Sequence, residues 1–202
     1  SYLGFDLRSP IVASSSPLTG DATTLREIDE AGAGAIVLPS LFEEEVLEEE
    51  LELNQALEQG AGQFSEASDY FPAIPRLDTA FDRYIEHLAE AKELTEAPVI
   101  ASLNAATGGG WVRYAELLED AGADALELNL YRVAADPTVN AAEVEARDLA
   151  LIRGVRDAIT LPLAVKLSPY YSSFGHFAAA AVEAGADGLV LFNRFYQPDV
   201  DL

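Results

Sequence analysis

The chain has 202 residues and a formal net charge of −23, and half of its residues are hydrophobic. This length and composition indicate a globular protein with one sizeable core and exclude a disordered chain. The absence of cysteine excludes disulfides, thiolate metal sites and a thiol nucleophile. The negative charge argues against nucleic-acid or anionic-lipid partners. No apolar run approaches the roughly 18 to 20 residues that span a bilayer, and no secretory signal is visible, so we predict a soluble cytoplasmic protein.

The apolar pattern predicts alternating strands and helices along the whole chain. Strands are predicted over residues 2–8, 11–14, 35–38, 98–103, 126–130, 163–167 and 189–192. Helices are predicted over residues 23–31, 81–93, 112–121, 143–159 and 174–184. Polar residues stand where several buried strands end, namely Ser40, Glu127, Asn129 and Asn193.

Three similar segments, residues 31–39, 121–130 and 184–193, repeat one pattern. Each begins with Ala-Gly-Ala and continues as a run of branched apolar residues. Glycine closes a helix in the left-handed conformation, and the apolar run is typical of a strand buried on both faces. A helix that passes into a buried strand three times predicts a parallel α/β protein.

Right-handed crossovers at six βα steps predict a (β/α)8 TIM barrel of which this chain carries about six units. We expect one barrel domain over residues 1–202, trimmed at its C-terminus, and an open parallel sheet is the alternative. The chemistry of such barrels lies at the carboxyl ends of the strands.

Residues 39–77 form a long acidic insertion after the second strand. It contains a predicted helix over residues 41–58 and an apolar group formed by Phe71, Pro72, Ile74 and Pro75. A connection this long in a compact domain is usually functional or disordered. Two interpretations stay open, a lid over a site and a loop packed on the barrel rim.

Several conspicuous residues are interpreted as structural. Gly108, Gly109 and Gly110 match neither the dinucleotide pattern nor the Gly-Lys-Ser/Thr phosphate loop, so we interpret them as a flexible stretch before a helix. His87 and His176 lie in predicted helices away from strand ends, and Trp111 is assigned to packing. No grouping of His, Asp and Glu has metal-ligand spacing, so we expect no metal site.

Lys166 is the sharpest chemical signal because it sits inside an otherwise apolar strand. An unpaired ammonium there costs several kcal/mol, so it needs a ligand or a counter-charge. Two functional interpretations stay open, a hydrogen bond to an anionic cofactor and a Schiff-base nucleophile. The structural alternative is a salt bridge with Glu127 on the neighbouring strand. We favour function because buried charge clusters at sites.

Three asparagines and several serines end strands on the same predicted rim. The asparagines Asn104, Asn129 and Asn193 supply amide donors and acceptors suited to a planar heterocycle that carries imide groups. Ser14, Ser15 and Ser102 add hydroxyls. A shared polar pocket is the favoured interpretation over three unrelated turns.

Five segments together resemble the soluble, FMN-containing dihydroorotate dehydrogenases. They are Ile-Val-Ala-Ser-Ser at residues 11–15, Ile-Ala-Ser-Leu-Asn at 100–104, Glu-Leu-Asn-Leu at 127–130, Val-Lys-Leu-Ser-Pro at 165–169 and Phe-Asn at 192–193. They occur in the family's order, and the similarity spans nearly the whole chain. The Glu-Leu-Asn-Leu and Val-Lys-Leu-Ser-Pro pair is fairly specific.

The resemblance implies an FMN-dependent oxidoreductase that acts on the CH–CH group of dihydroorotate in pyrimidine biosynthesis, or on an altered, dihydropyrimidine-like substrate. It places Ala13, Ser14 and Ser15 along the flavin ring and Lys166 at the N1 and O2 edge, where positive charge stabilises the anionic reduced ring. With the rim residues, the expected cofactor contacts are Ala13, Ser14, Ser15, Ser102, Asn129 and Lys166. The expected substrate contacts are Asn104, Asn129 and Asn193.

The sequence departs from the family in the substrate half of the site. After Asn-Leu, the family continues with Ser, then with a Cys or, in some classes, a nearby Ser that acts as the base, and then with Pro-Asn. This chain instead has Tyr131, Arg132 and Val133 after Leu130. Tyr131 and Arg132 are therefore weak candidates for a catalytic role, and the base stays unassigned. Leu38 and Pro39 replace an expected lysine, and the insertion with Ser68, Asp69 and Tyr70 replaces an Asn-rich loop. The family's FMN phosphate loops would lie beyond Leu202.

Two functions of other classes stay open. One is a Schiff-base lyase or aldolase that uses Lys166, and the other is a non-catalytic acidic barrel that acts through residues 43–58. The sequence also leaves open the electron acceptor and whether the chain forms a homodimer.

Overall fold

The computed structural model describes residues 1–49, 51, 79–104 and 108–193. The strands are β1 (Val12–Ala13), β2 (Ala35–Phe42), β3 (Val99–Asn104), β4 (Ala125–Asn129), β5 (Leu163–Leu167) and β6 (Gly188–Leu191). The helices are α1 (Ala22–Glu30), α2 (residues 43–49 and 51), α3 (Ala80–Leu94), α4 (Gly108–Asp120), α5 (Ala141–Ala158) and α6 (Phe174–Glu183). A 3₁₀ turn, Pro17–Gly20, precedes α1. None of these helices is long and apolar enough to cross a bilayer.

The strands form one parallel sheet in the order β1-β2-β3-β4-β5-β6. Alternate side chains face opposite sides of the sheet. One set, which includes Ile36 and Leu126, packs with the helices, whereas the other, which includes Ile100 and Ala125, meets in a separate inner cluster. Helices outside and an apolar layer inside define a partial (β/α)8 barrel, with six described strands of which the first five are each followed by a helix. The predicted fold class is confirmed.

The three Ala-Gly-Ala segments end α1, α4 and α6, as predicted. Gly32, Gly122 and Gly185 have φ values of 89°, 91° and 115°. After each glycine the next N–H donates back to the carbonyl five residues earlier, for example Ala123 N to Leu118 O at 3.2 Å. This glycine-closed helix end turns the chain directly into β2, β4 and β6.

The predicted strand over residues 2–8 is wrong. Tyr2 and Phe5 form an isolated antiparallel bridge around Leu3 and Gly4, whose φ values are 51° and 81°. Positive φ at both central residues is characteristic of the tightest hairpin turns. The turn directs Leu3 into the inner cluster of the barrel, where it is buried. Burial of Leu3 outweighs the short alternating pattern that indicated an extended strand.

The strand predicted over residues 11–14 is shorter and less buried than expected. β1 has two residues, both half-buried, and Ile11 is 70% exposed. Among the described residues β1 pairs only with β2, so it is an edge strand. An edge strand lacks a neighbour on one side, which is why the apolar run did not translate into full burial.

β2 does not end at Leu38 as predicted but continues to Phe42. Its register with β3 shifts between Val37 and Ser40, where Pro39 has no N–H to donate to the ladder. α2 therefore begins at residue 43 and not at residue 41. The rest of the insertion, with Phe71, Pro72, Ile74 and Pro75, lies outside the described residues.

Gly108, Gly109 and Gly110 do not precede a helix but form the first turn of α4. Gly110 faces the buried side chain of Glu43 from α2, and a Cβ at this position would overlap the Glu43 carboxylate. The glycine thus permits close contact between α2 and α4. The prediction of a flexible stretch before the helix is therefore wrong, and Gly110 is instead needed for packing.

Candidate active site at the carboxyl ends of the strands

Side chains from neighbouring strands form a chain of hydrogen bonds on the inner face of the sheet. Ser40 Oγ lies 3.4 Å from Ser15 Oγ and 2.8 Å from Ser102 Oγ. Ser102 Oγ donates to Glu127 Oε1 at 3.4 Å. The loop after β1 and strands β2, β3 and β4 are thereby connected through polar groups just above the apolar inner layer.

Lys166 on β5 joins the same group through Glu127. Its Nζ lies 3.6 Å from Glu127 Oε1, and the two side chains are 15% and 4% exposed. Burial raises the pKa of Glu127, and the charge of Lys166 and the Ser102 hydrogen bond act in the opposite direction. The salt bridge that was the structural alternative for Lys166 is therefore present.

Asn129 and Asn193 extend the network across β4 and the loop after β6. Asn193 Nδ2 donates to Asn129 Oδ1 at 2.6 Å, and Asn129 Nδ2 faces Ser40 Oγ at 3.5 Å. The register of β4 and β5 sets Asn129 directly beside Lys166. Two of the three predicted asparagines thus meet on one rim together with the lysine.

Tyr84 of α3 supports this network from outside the barrel. The Ser102 N–H donates to Tyr84 Oη at 2.9 Å, and Tyr84 Oη donates to the Ser102 carbonyl at 3.3 Å. Burial raises the pKa of Tyr84 and keeps its hydroxyl protonated. Only the position of Tyr84 beside Ser102, which pairs with Ser40 where the register of β2 shifts, reveals this polar role.

A cavity of about 660 Å³ opens beside the network inside the barrel. Glu127 and Ser14 line it, together with Tyr2 and Val37. Burial raises the pKa of Tyr2, and the negative charge of Glu127 adds to the effect. Glu127 therefore borders open space that a ligand can enter, whereas Lys166, 3.6 Å away, is not one of the residues that line this cavity.

Asn104 does not join the network, in contrast to the prediction that the three asparagines converge. It lines a separate cavity of about 270 Å³ with Tyr131, Arg132 and Trp111. Tyr131 and Arg132 also line a neighbouring cavity of about 600 Å³ between the loops after β4 and β5. The weak catalytic candidates and Asn104 are therefore grouped with each other.

An acid–phenol pair that sequence analysis missed lies beside the loop cavities: the buried Asp148 lines both of them, and the half-buried Tyr171 lines the larger one. Tyr171 Oη donates to Asp148 Oδ2 at 2.9 Å. Burial raises the pKa of Asp148, whereas the Tyr171 hydrogen bond and Arg132 act in the opposite direction. The available signal was the position of Asp148 four residues before the buried Ile152 on the inner side of α5.

The remaining candidates have clear positions. The Ala13 side chain packs against the core between sheet and helices, whereas the next residue, Ser14, lines the barrel cavity. His87 and His176 lie in α3 and α6, as predicted, and Trp111 is buried in the core. Among the described residues, no three His, Cys, Asp or Glu side chains are grouped so that they could hold a metal ion.

The site is thus a polar rim inside a partial (β/α)8 barrel, with one cation, one buried carboxylate, two amides and several hydroxyls. Barrels that carry such groups at the carboxyl ends of their strands are typically enzymes. The inner positions and the strand ends are those at which small molecules bind in this fold.

Comparison with known proteins finds dihydroorotate dehydrogenases along the whole chain. A protein of Aeropyrum pernix with the provisional name dihydroorotate dehydrogenase A (fumarate) is 28% identical over 100% of this chain and 63% of its own length. Catalytic subunits of dihydroorotate dehydrogenase B (NAD(+)) from Methanocella arvoryzae and Methanosarcina mazei are each 28% identical over 98% of this chain, and over 62% and 61% of their own lengths. The chain is therefore dihydroorotate dehydrogenase-like in sequence.

This similarity has a defined extent. The chain spans about three-fifths of the length of these curated relatives. No family model matches it. A solved structure of DHDPS from Cyanidioschyzon merolae with lysine bound aligns with 89% of this chain and 68% of its own chain, at 12% identity and a TM-score of 0.49.

Proposed function

We propose that this chain forms the flavin-binding part of an FMN-dependent oxidoreductase of the dihydroorotate dehydrogenase type. The observation that carries the proposal is the joined rim of Lys166, Asn129 and Asn193 inside a barrel whose sequence resembles these enzymes. The substrate we propose is a dihydropyrimidine-like small molecule, and the protein we expect is cytoplasmic. Neither a nucleic acid nor a membrane is a proposed partner.

The donor set at the rim fits the pyrimidine edge of a flavin. That edge alternates imide N–H donors and carbonyl acceptors, and amides such as Asn129 can match both. Lys166 has three N–H donors, of which the 3.6 Å pair with Glu127 occupies one direction. Ser14 and Ser102 add hydroxyls on the inner face, where a planar ring would lie.

Each rim residue has a distinct proposed role. Lys166 would hold the ring edge that gains negative charge, and Ser14 and Ser15 would lie along the ring. Asn129 would contact both ring and substrate, and Asn193, which donates to Asn129, would bind the substrate. When bound, FMN supplies the two-electron acceptor, to which the CH–CH group of the substrate gives a hydride while losing a neighbouring proton and becoming C=C. The inner apolar layer excludes water from the ring.

The salt bridge favours this role of Lys166 over Schiff-base chemistry. A carboxylate neighbour stabilises an ammonium, whereas a Schiff base requires a neutral amine. Tyr131 and Arg132 lie at the loop cavities and not in the rim network. We therefore propose that they contact substrate or its entrance path, and the base stays unassigned.

The proposal is tested by titrating the purified full-length protein with FMN and recording absorbance and flavin fluorescence. We expect saturable binding, followed by anaerobic bleaching when dihydroorotate or a related dihydropyrimidine is added. Lys166→Gln should weaken FMN affinity roughly tenfold or more, as loss of a charge-assisted hydrogen bond predicts.

Lys92 provides the control because it is the other lysine of the chain and lies at the surface of α3. Lys92→Gln should bind FMN like the wild type. A folded wild-type protein that does not bind FMN would contradict the proposal. Protein that binds FMN but is bleached by no dihydropyrimidine would retain the cofactor assignment and overturn the substrate assignment.

A further inference from the structure

We propose that Glu127 sets the effective charge of Lys166 at the flavin position and thereby limits how strongly the site stabilises negative charge on the ring. This inference rests on the flavin function proposed above and assigns Glu127 a role beyond packing. Glu127 acts through Lys166 and is therefore a positioning residue.

The geometry places the carboxylate below the ammonium. Both residues are on inward-facing positions, Glu127 on β4 and Lys166 on β5, and the ion-pair distance is 3.6 Å. Glu127 is the more deeply buried partner, with 4% of its side chain exposed against 15% for Lys166. The register pairs Glu127 with Ala164 and Lys166 with Asn129, so Lys166 lies one inward position nearer to the carboxyl ends of the strands, where a ring would be placed.

Glu127 is fixed by contacts other than the lysine. Ser102 Oγ donates to the same carboxylate oxygen, Oε1, and Ser102 is itself held by Ser40 Oγ and by Tyr84 Oη on its backbone. The carboxylate thus keeps its place whether or not Lys166 turns toward a ligand. A fixed charge of this kind acts as a constant background for the ammonium.

The electrostatic interaction between a carboxylate and a neighbouring ammonium is large in a buried site. Two unit charges interact by about 332/(εr) kcal/mol with r in Å, and the effective ε near a buried site is about 20 rather than 80. A carboxylate one ion-pair distance behind the ammonium therefore offsets a large part of its field at the ring. Glu127→Gln removes the negative charge and keeps the shape of the side chain, so it should strengthen the field of Lys166 at the ring.

Sulfite is a suitable probe because it adds reversibly through its sulfur lone pair to the oxidised ring of FMN and leaves negative charge on the ring. Its dissociation constant, measured by loss of flavin absorbance, reports stabilisation of ring negative charge and requires no substrate turnover. We expect Glu127→Gln to bind sulfite roughly tenfold or more tightly than the wild type.

A double-mutant cycle tests whether Glu127 acts through Lys166. Lys166→Met should weaken sulfite binding. In that background the buried carboxyl of Glu127 has lost its counter-charge, which favours its protonated, neutral form. Adding Glu127→Gln there should therefore change sulfite binding far less than in the wild-type background. Glu90→Gln, at an exposed position of α3, removes the same net charge far from the rim and should leave sulfite binding unchanged.

The outcomes separate this inference from the function on which it rests. Failure of the wild-type protein to bind FMN would overturn the proposed function. FMN binding with equal sulfite affinity in wild type and Glu127→Gln would overturn the role of Glu127 alone, as would an equally large effect in the Lys166→Met background. If circular dichroism shows that Glu127→Gln does not fold, Glu127→Asp replaces it, because this change retracts the carboxylate by one methylene. Glu127→Asp should tighten sulfite binding by a smaller factor. Unchanged sulfite affinity in Glu127→Asp would also overturn the proposed role of Glu127.

Discussion

Ser102 links the polar rim to the helix layer. Its side chain contacts Ser40 and Glu127, while its backbone N–H and C=O both bond to Tyr84 Oη. The shifted register of β2 opposite this position explains the arrangement, because a buried backbone group that leaves the ladder needs another partner. A single phenol outside the barrel therefore stabilises the position of a residue inside it.

Tyr84→Phe should lower the free energy of unfolding by about 1–3 kcal/mol, the usual cost of leaving a buried polar group unsatisfied. The measurement is chemical denaturation followed by circular dichroism. Tyr131→Phe is the control, because the Tyr131 hydroxyl has no hydrogen-bond partner among the described residues, and its stability should stay close to that of the wild type. Equal stability of Tyr84→Phe and wild type would contradict the role of the hydroxyl.

The Asp148–Tyr171 pair is the second residue-scale feature with a measurable consequence. Burial raises the pKa of Asp148 in the folded protein, despite the opposing effects of Tyr171 and Arg132. The folded protein therefore binds this proton more tightly than the unfolded chain does. The resulting stability is present below the ordinary carboxyl pKa of about 3.9 and is lost as pH rises through the raised folded value.

Asp148→Asn should gain stability relative to the wild type as the pH is raised from about 4 towards neutrality, because asparagine has no proton to lose. Its amide oxygen can still accept the Tyr171 hydrogen bond. Denaturation midpoints across this pH range check the prediction. Asp157→Asn, at an exposed position of the same helix, makes the same change in net charge and should not reproduce the rise. A difference between Asp148→Asn and wild type that is flat with pH would contradict it.

At the scale of elements, the contact between α2 and α4 depends on one glycine. Gly110 lies in the first turn of α4 against the buried Glu43 of α2, whereas Gly108 in the same turn faces open space. Negative charge near a helix N-terminus is favourable because the helix dipole is positive there. Glycine at position 110 lets the carboxylate approach.

Gly110→Ala should destabilise the protein by about 1–3 kcal/mol through overpacking against Glu43. Gly108→Ala is a matched control in the same helix turn, and it should be neutral or stabilising by up to about 1 kcal/mol because alanine favours helix. Thermal and chemical unfolding of the two variants compare them directly. A Gly110→Ala protein as stable as Gly108→Ala would show that the contact is not required.

For the whole molecule, the dominant physical property is a net charge of −23 over 202 residues. Like charges repel in the compact state and lower its stability. Salt shortens the range of this repulsion, because the Debye length falls from about 30 Å at 0.01 M to about 3 Å at 1 M. Exposed acids on α3, namely Glu86, Glu90 and Glu93, show how densely the charge is placed.

We therefore predict that the melting temperature rises by several degrees between about 0.05 M and about 1 M KCl, since each kcal/mol corresponds to about 2–4 °C for a chain of this size. Scanning calorimetry or circular dichroism measures the shift. A variant with Glu86, Glu90 and Glu93 replaced by glutamine should show a shallower rise. A melting temperature that falls or does not change with salt would contradict the repulsion argument.

Much of the fold was predictable because its signals are local. The Ala-Gly-Ala helix ends, the apolar strand runs and their alternation gave the order of elements, and β5 was predicted with its observed bounds. The predictions failed where long-range burial decides: Leu3 enters the barrel in place of an extended strand over residues 2–8, and β2 continues past Pro39 because it pairs with β3.

The sequence by itself determined which polar residues lie at or next to strand ends, including Asn129 at the end of β4 and Lys166 one residue before the end of β5, because strand ends follow from local apolar patterns. Only the tertiary structure decided that Asn193 joins them while Asn104 faces another cavity. It also decided that Tyr84 supports Ser102 from outside the barrel. The physical reason is that side-chain contacts depend on strand register and sheet curvature, which bring together residues far apart in the chain and are not encoded in any short segment.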